Sequence, residues 1–338
     1  MSVILGTRGS DLALTQSRTI AQALTERGID VEMVTIRTEG DITRESLSRL
    51  GGVGVFAAAL RLAMLNGRCH LAVHSFKDLP TAPVPGLCLA AVPERAPVAD
   101  VLCSAQGRRL SELPEGALVG TGSIRRAAQL LAQRPDLRIC DIRGNVPTRL
   151  GRVGGLEDGP GDLDAVVLAQ AGLARLGLLG RAAEILPTSI MAPAPAQGAL
   201  AIEASEAALA ENSELADALA SLNDPTARAA ALAERGVLAH LEAGCAAPVG
   251  ALATTEGSEI VLRASVCALD GSRRASASGS TPLPADDDAA HELGTRVGRD
   301  LLAAGAADIA DLHAERVGVD PDYFALAPGR DRFGAARS

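Results

Sequence analysis

Lysine occurs once in this sequence, tryptophan is absent, and the aromatic side chains are limited to Phe56, Phe76, Tyr323, Phe324 and Phe333. So few aromatics leave no stacking platforms of the kind that single-strand and RNA binders use. Excess positive charge is lacking as well. The net charge is −9, so no general attraction to nucleic acid or to an anionic membrane surface is expected, and any anion binding has to be local. The six cysteines (Cys69, Cys88, Cys103, Cys140, Cys245, Cys267) form no C-x-x-C pair, which argues against a disulfide framework and a structural zinc. No apolar run approaches the roughly 18 residues of a membrane helix. The opening MSVILGTRGSDLAL is interrupted by Arg8 and Asp11 and has no basic leader or A-x-A site. A cytoplasmic chain without a secretory signal is therefore expected. Gly51 to Gly54 lacks a following Gly-Lys-Ser/Thr, which excludes a P-loop, and no metal motif is present.

What is present is ample apolar content, 47% of 338 residues, enough for two or three cores at about 150 residues per domain. Short apolar runs alternate with helical patterns: VILG, a helix over 10–27 with Ser10 as N-cap, VEMVTI, a helix over 55–65, then LAVHSF. This rhythm predicts an α/β unit. A second α/β series (VLCSA, ALVGTG, a helix over 124–133, RICDIRG, DAVVLAQAGL) lies between two Pro-rich segments, 80–97 and 187–198. After it come ALAIEA and a helix over 206–222. The pattern predicts one α/β domain inserted in another, joined by two hinge segments, with the intervening cleft as the ligand site. Beyond a helix over 225–241, three apolar strands separated by Glu256-Gly257 and Asp270-Gly271 precede a helix over 285–304. Asp-Gly between strands is a hairpin signal, so a small α+β domain with a three-stranded antiparallel sheet is expected. The expected boundaries are 1–95 with 197–220 for the first domain, 98–191 for the second, 222–317 for the third, and a tail over 318–338.

Several arginines sit at strand ends and in glycine-containing turns instead of on helix faces: Arg8 in GTRGS, Arg125 and Arg126 in GTGSIRR, Arg143 and Arg149 in RGNVPTR. A turn between strand and helix exposes backbone N–H groups at the positive end of the helix dipole, and guanidiniums add bidentate anion recognition. A small polyanion is the implied ligand, and the Arg143 and Arg149 clamps are expected at buried sites. The lone Lys77 stands beside Asp78 in HSFKDLP, where a strand leaves its sheet, the usual place for ligand chemistry in open α/β sheets. Asp78 facing the cleft would be an acid/base group; facing away, it is half of an ordinary ion pair, with His74 a core histidine. Cys245 lies in LEAGCAAPVG, read as the one cysteine in a loop. Reactivity there requires exposure and a depressed pKa, and a small buried residue is the alternative.

In order and spacing, GTRGSDLALTQS, GGVGVF, HSFKDLP, GTGSIRR, RGNVPTRL, LARLGL, APAQGAL and EAGCAAPVG resemble the porphobilinogen deaminase (hydroxymethylbilane synthase) family over residues 3 to about 317. The resemblance implies a transferase of tetrapyrrole and haem biosynthesis, with two domains like periplasmic binding proteins and a third that carries a covalent dipyrromethane. That enzyme condenses four porphobilinogens head to tail, with loss of ammonia, and releases linear hydroxymethylbilane. By the same resemblance Cys245 is the thioether anchor. Asp78 contacts pyrrole N–H groups, helps protonate the leaving amine and stabilises the azafulvene cation, with Lys77 beside it. Arg8, Arg125, Arg126, Arg143, Arg149 and Arg175 hold the carboxylates. Ser10, Gln16, Ser75, Thr121, Ser123, Gly144 and Gln197 are further contacts, and Phe56 packs near the pyrroles.

The sequence departs from the family pattern at Val53, where many relatives carry Lys and where Arg49 offers a substitute cation, at Ala246 and Ala247 after Cys245, and at Ala174 beside Arg175. The family implies a monomer whose partner is the small-molecule substrate, with no metal, nucleic acid or membrane. A non-catalytic two-lobed binding protein for a polycarboxylate is the alternative from another class.

Overall fold

The computed structural model describes residues 2–36, 54–244 and 247–313, without the side chains of residues 54–56. Val3–Thr7 (β1), Asp11–Thr25 (α1), Val31–Thr35 (β2), Gly54–Leu65 (α2), Leu71–Ser75 (β3) and Leu87–Ala91 (β4) begin the first sheet. The chain then crosses into Asp100–Ser104 (β5), Leu118–Gly120 (β6), Ile124–Gln133 (α3), Arg138–Cys140 (β7), Val146–Leu150 (α4), Ala165–Ala169 (β8), Gln170–Arg175 (α5) and Glu184–Leu186 (β9). It returns as Leu200–Ser205 (β10). The sheet orders are β2-β1-β3-β10-β4 and β7-β6-β8-β5-β9. In each, the first three strands are parallel, the fourth is antiparallel to both its neighbours, and that fourth strand is the first one after a crossing. The architecture is therefore two α/β sheets joined by two hinge segments, as the apolar rhythm predicts.

Two expectations need correcting. Strand β4 lies inside the Pro-rich segment, because its prolines bracket a proline-free stretch, 86–92, that supplies the ladder N–H groups. The helix expected over 206–222 is two helices, Glu206–Glu211 (α6) and Ser213–Leu222 (α7), broken at Asn212. Asn212 leaves helical geometry at φ −135°, ψ 89°, and its side-chain oxygen accepts from Leu215 N, capping α7. Ser10 does occupy the N-cap of α1, yet its hydroxyl makes no capping bond.

The third sheet is the meander Val249–Glu256 (β11), Glu259–Cys267 (β12) and Arg274–Pro282 (β13). It is covered by Pro225–His240 (α8) and Asp287–Ala303 (α9), with the short Ala306–Ile309 (α10) beside it. α8 buries Ala227, Ala229, Ala230, Ala231 and Ala233, small side chains that let α9 approach closely. At the crossing a Cβ on Gly294 would stand 2.4 Å from the Ala233 carbonyl oxygen.

One carboxylate ties the hinges to this third body. Glu234 on α8, with a fully buried side chain, accepts from Arg95 Nη1 (2.7 Å) and Nη2 (2.8 Å) on the first hinge segment. It also accepts from Ala196 N (2.6 Å) on the second and from Ala253 N (2.8 Å) on β11. The two hinge segments touch at Gly198, whose φ is +88° and whose Cβ would lie 2.3 Å from the Ala96 carbonyl oxygen. Gly198→Ala is accordingly expected to cost about 2 kcal/mol or more through left-handed backbone strain and that clash. The check is the urea midpoint; an unchanged midpoint contradicts the packing described.

Candidate active site

The two α/β sheets face each other across a cleft of about 620 Å³. From the first lobe it receives Arg8 and Ser10 ahead of α1 and Gln16 within it, then His74, Ser75, Lys77 and Asp78 at and just after the end of β3. The facing wall contributes Arg126 from α3, Arg143, Gly144 and Arg149 from the turn into α4 and α4 itself, and Arg175 from α5. Among the described residues that line it, six cations (Arg8, Lys77, Arg126, Arg143, Arg149, Arg175) meet two carboxylates, Asp11 and Asp78. A protein of net charge −9 thus concentrates positive charge in one concavity, as a polyanion site requires.

The turn bearing Lys77 and Asp78 is a single 3-10 turn, Phe76–Asp78. Phe76 anchors it: the ring is buried and lies 4.5 Å beneath the Arg235 guanidinium. Arg235, from α8, also donates to the carbonyls of Phe76 (3.0 Å), Leu79 (2.7 Å) and Pro80 (2.8 Å). With the apolar member held inward, Lys77 remains half-buried and Asp78 is exposed to the cleft. Burial lowers Arg235 to about 10, still charged at neutral pH.

Behind the wall lies a buried polar chain that is invisible in the sequence. Lys77 Nζ donates to Gln197 Oε1 (3.1 Å), and Gln197 Nε2 donates to Asp100 Oδ1 (2.8 Å) and to the Val98 carbonyl (2.8 Å). Asp100, at the start of β5, also accepts from Arg125 (2.8 Å) and Arg126 (2.7 Å). Burial alone would push the Asp100 carboxyl up; the two guanidiniums outweigh it and hold the group well below the usual carboxylate range. Burial pulls the Lys77 ammonium down to about 8, opposed by Asp78 and Asp100 and reinforced by Arg126 and Arg125.

Of the side chains expected at the site, Arg8, Ser10, Gln16, Ser75, Lys77, Asp78, Arg126, Arg143, Arg149 and Arg175 line the cleft, with Gly144 in the Arg143 turn. Gln16 donates to Ser75 Oγ at 2.9 Å. Thr121, Ser123, Arg125 and Gln197 do not line it. Thr121 is buried, Ser123 caps α3, Arg125 is engaged by Asp100 and the Ala192 carbonyl, and Gln197 is enclosed between Lys77 and Asp100. The buried clamps expected at Arg143 and Arg149 are corrected: the Arg143 side chain is 53% exposed and pairs with Asp141 at 3.3 Å, and Arg149 is half-buried with Nε donating to the Gly144 carbonyl at 2.8 Å, because the turn that presents them, 143–145, is itself exposed. Cys245 and Arg49 fall outside the described residues, as does Val53, and the side chain of Phe56 is not described. Cys245 is not the one cysteine in a loop: Cys69 lies between α2 and β3, and is buried.

Two family models match this chain: "Porphobilinogen deaminase, dipyromethane cofactor binding domain" over residues 3–212 and "Porphobilinogen deaminase, C-terminal domain" over residues 229–303. The chain belongs to the porphobilinogen deaminase family. Relatives of that name include one from Leifsonia xyli subsp. xyli, 54% identical over 92% of this chain and 95% of its own length. Another, from Cutibacterium acnes, is 53% identical over 93% and 98%. Among solved structures, the aliphatic sulphonate binding protein SsuA from Escherichia coli aligns at TM-score 0.39 with 13% identity, covering 71% of this chain and 70% of that one. Membership makes the chain a transferase of tetrapyrrole synthesis that works with a dipyrromethane cofactor. The porphobilinogen deaminase cleft fits that group. Its volume lies within the range of small-molecule sites, and its cations suit a ligand whose two pyrroles each bear an acetate and a propionate. Arg126 further presents a buried Nε with no hydrogen-bond partner among the described residues, a donor that a ligand carboxylate would satisfy.

Proposed function

We infer that this chain is a hydroxymethylbilane synthase that condenses four porphobilinogens head to tail, with release of ammonia, and frees the linear tetrapyrrole. The observation that carries the reading is Asp78, exposed at the end of β3 in a cleft whose other charged groups are mostly cations. In this reading Arg8, Arg126, Arg143, Arg149 and Arg175 hold the acetate and propionate groups. Ser10, Gln16 and Ser75 add hydrogen bonds, while Arg125, Thr121, Ser123 and Gln197 support the wall from behind. Cys245 would hold the dipyrromethane, which would supply a nucleophilic pyrrole α-carbon. Asp78, as the carboxylic acid, delivers its proton to the amine nitrogen that departs as ammonia, and the carboxylate so formed accepts from pyrrole N–H groups and offsets the positive charge left on the substrate. Lys77 lies beside it on the same turn.

The division of labour follows the sequence boundaries: 1–95 with 197–220 supply the Asp78 wall, 98–191 the arginine wall, and 222–317 the attachment site. We place the protein in the cytoplasm as a monomer, on the strength of the family resemblance.

Intact-protein mass spectrometry of the purified chain and of Cys245→Ser tests the reading. The parent is expected to carry the added mass of two linked pyrroles and the variant to lack it. A parent that stays bare after incubation with porphobilinogen, and turns none of it over, would support the two-lobed binding protein instead.

A further inference from the structure

The buried chain behind the cleft joins both walls through one carboxylate. Lys77 belongs to the turn after β3, Gln197 to the second hinge segment, Asp100 to the start of β5 just past the first, and Arg126 to α3. Asp100 itself does not line the cleft, and its side chain is completely buried. Its partners are Arg125, Arg126 and Gln197, each within 2.8 Å. Arg126 gives one nitrogen to Asp100 (2.7 Å) and another to the Val167 carbonyl (3.0 Å), which fixes the plane of the guanidinium. Gln197 gives its amide nitrogen to Asp100 and Val98, so its carbonyl oxygen is left to accept from Lys77. The orientation of the amide, and hence the lysine contact, follows from the carboxylate two bonds away in the chain.

We propose that Asp100, acting through Gln197, is a positioning residue that sets the Lys77 ammonium and the Arg126 guanidinium against each other across the two walls of the cleft. The proposal rests on the reading of this cleft as the condensation site and names a residue behind it that does not line the cleft. The charged groups facing Lys77 are Asp78 on its own turn, Asp100 on β5, and Arg125 and Arg126 on α3. Removing the Asp100 charge leaves two guanidiniums and one carboxylate around the amine. Removing the Gln197 amide takes away the acceptor of its proton. Both changes favour the neutral amine.

The composition provides a clean readout, since Lys77 is the only lysine and the only other amine is the N-terminus. The full-length protein and the variants Asp100→Asn and Gln197→Leu are exposed to a neutral acylating reagent between about pH 6 and 9, with cofactor loading recorded by intact mass. Acylation of Lys77 is followed in peptide digests. In both variants the Lys77 labelling rate near pH 6.5 is expected to rise about threefold to tenfold, the effect of a half to one unit of lowered proton affinity, with circular dichroism unchanged. The pH profile of kcat is expected to lose its alkaline side earlier in the same variants. Folded variants whose labelling profile matches the parent overturn the proposal. If Asp100→Asn does not fold, Gln197→Leu alone decides. Labelling requires no turnover, so a parent that labels as expected but never condenses porphobilinogen refutes the enzymatic reading and leaves the positioning role to stand or fall separately.

Discussion

Asp78→Asn should lower turnover by about 10²- to 10⁴-fold, the range over which a positioned proton donor or acceptor contributes, while the covalent adduct remains on the protein. Asn matches Asp in shape and can still accept from a pyrrole N–H, so binding survives. What disappears is an ionisable carboxyl in a cleft otherwise dominated by cations, and with it both the proton for the departing amine and the negative charge left opposite the developing cation. The effect belongs in kcat, with KM little changed. Because Phe76 and the three carbonyl bonds from Arg235 hold the turn independently of residue 78, the substitution should leave the turn in place. Single-turnover measurement with porphobilinogen, beside intact mass, separates the two readouts. Near-parent turnover would remove Asp78 from the chemistry.

Glu234→Gln should cost about 3–5 kcal/mol of stability, the usual loss when one partner of a buried ion pair is removed. Glutamine can replace one of the oxygens that now accept from Arg95, Ala196 and Ala253, but its NH₂ faces donors where an acceptor is needed. The Arg95 guanidinium is then left in the hinge with no counter-charge. Denaturant melts of Glu234→Gln, Arg95→Met and the double variant form a cycle. The double variant is expected to be more stable than Glu234→Gln alone, because it removes the stranded charge. A melting curve for Glu234→Gln that overlays the parent would mean that the pair does not hold the hinge.

Local signals carried well. The end of strand β3 at HSFKDLP, the Asp270-Gly271 turn between β12 and β13, and the arginine-bearing turns could be read from short windows, because each depends on neighbours a few residues away. What escaped depends on distant partners. Arg95 and Glu234 are 139 residues apart, and Arg235 reaches a carbonyl 159 residues away. Asp100 looks like an ordinary residue just ahead of the run VLCSA, and only the meeting of β5 with α3 and the second hinge turns it into the hub of the arginine wall. The same gap explains Arg125: a glycine-containing turn shows that guanidiniums gather there, but Asp100 holds both, and Arg125 is in addition drawn away from the cleft by the Ala192 carbonyl, 67 residues distant. The break at Asn212 was obscured by alanines on both sides, whose high helix propensity reads straight through it.

The interlaced hinge strands also dictate an order of manufacture. The inner sheet is complete once Leu186 has left the ribosome, since all five of its strands lie between Asp100 and that residue. The outer sheet begins at Val3 but has a gap between β3 and β4 that only β10 fills, so it closes no earlier than Ser205. The half of the molecule that is synthesised first is therefore finished second. Throughout that interval it presents two open strand edges to the crowded interior of the cell, a vulnerability of the nascent chain that the finished protein no longer has.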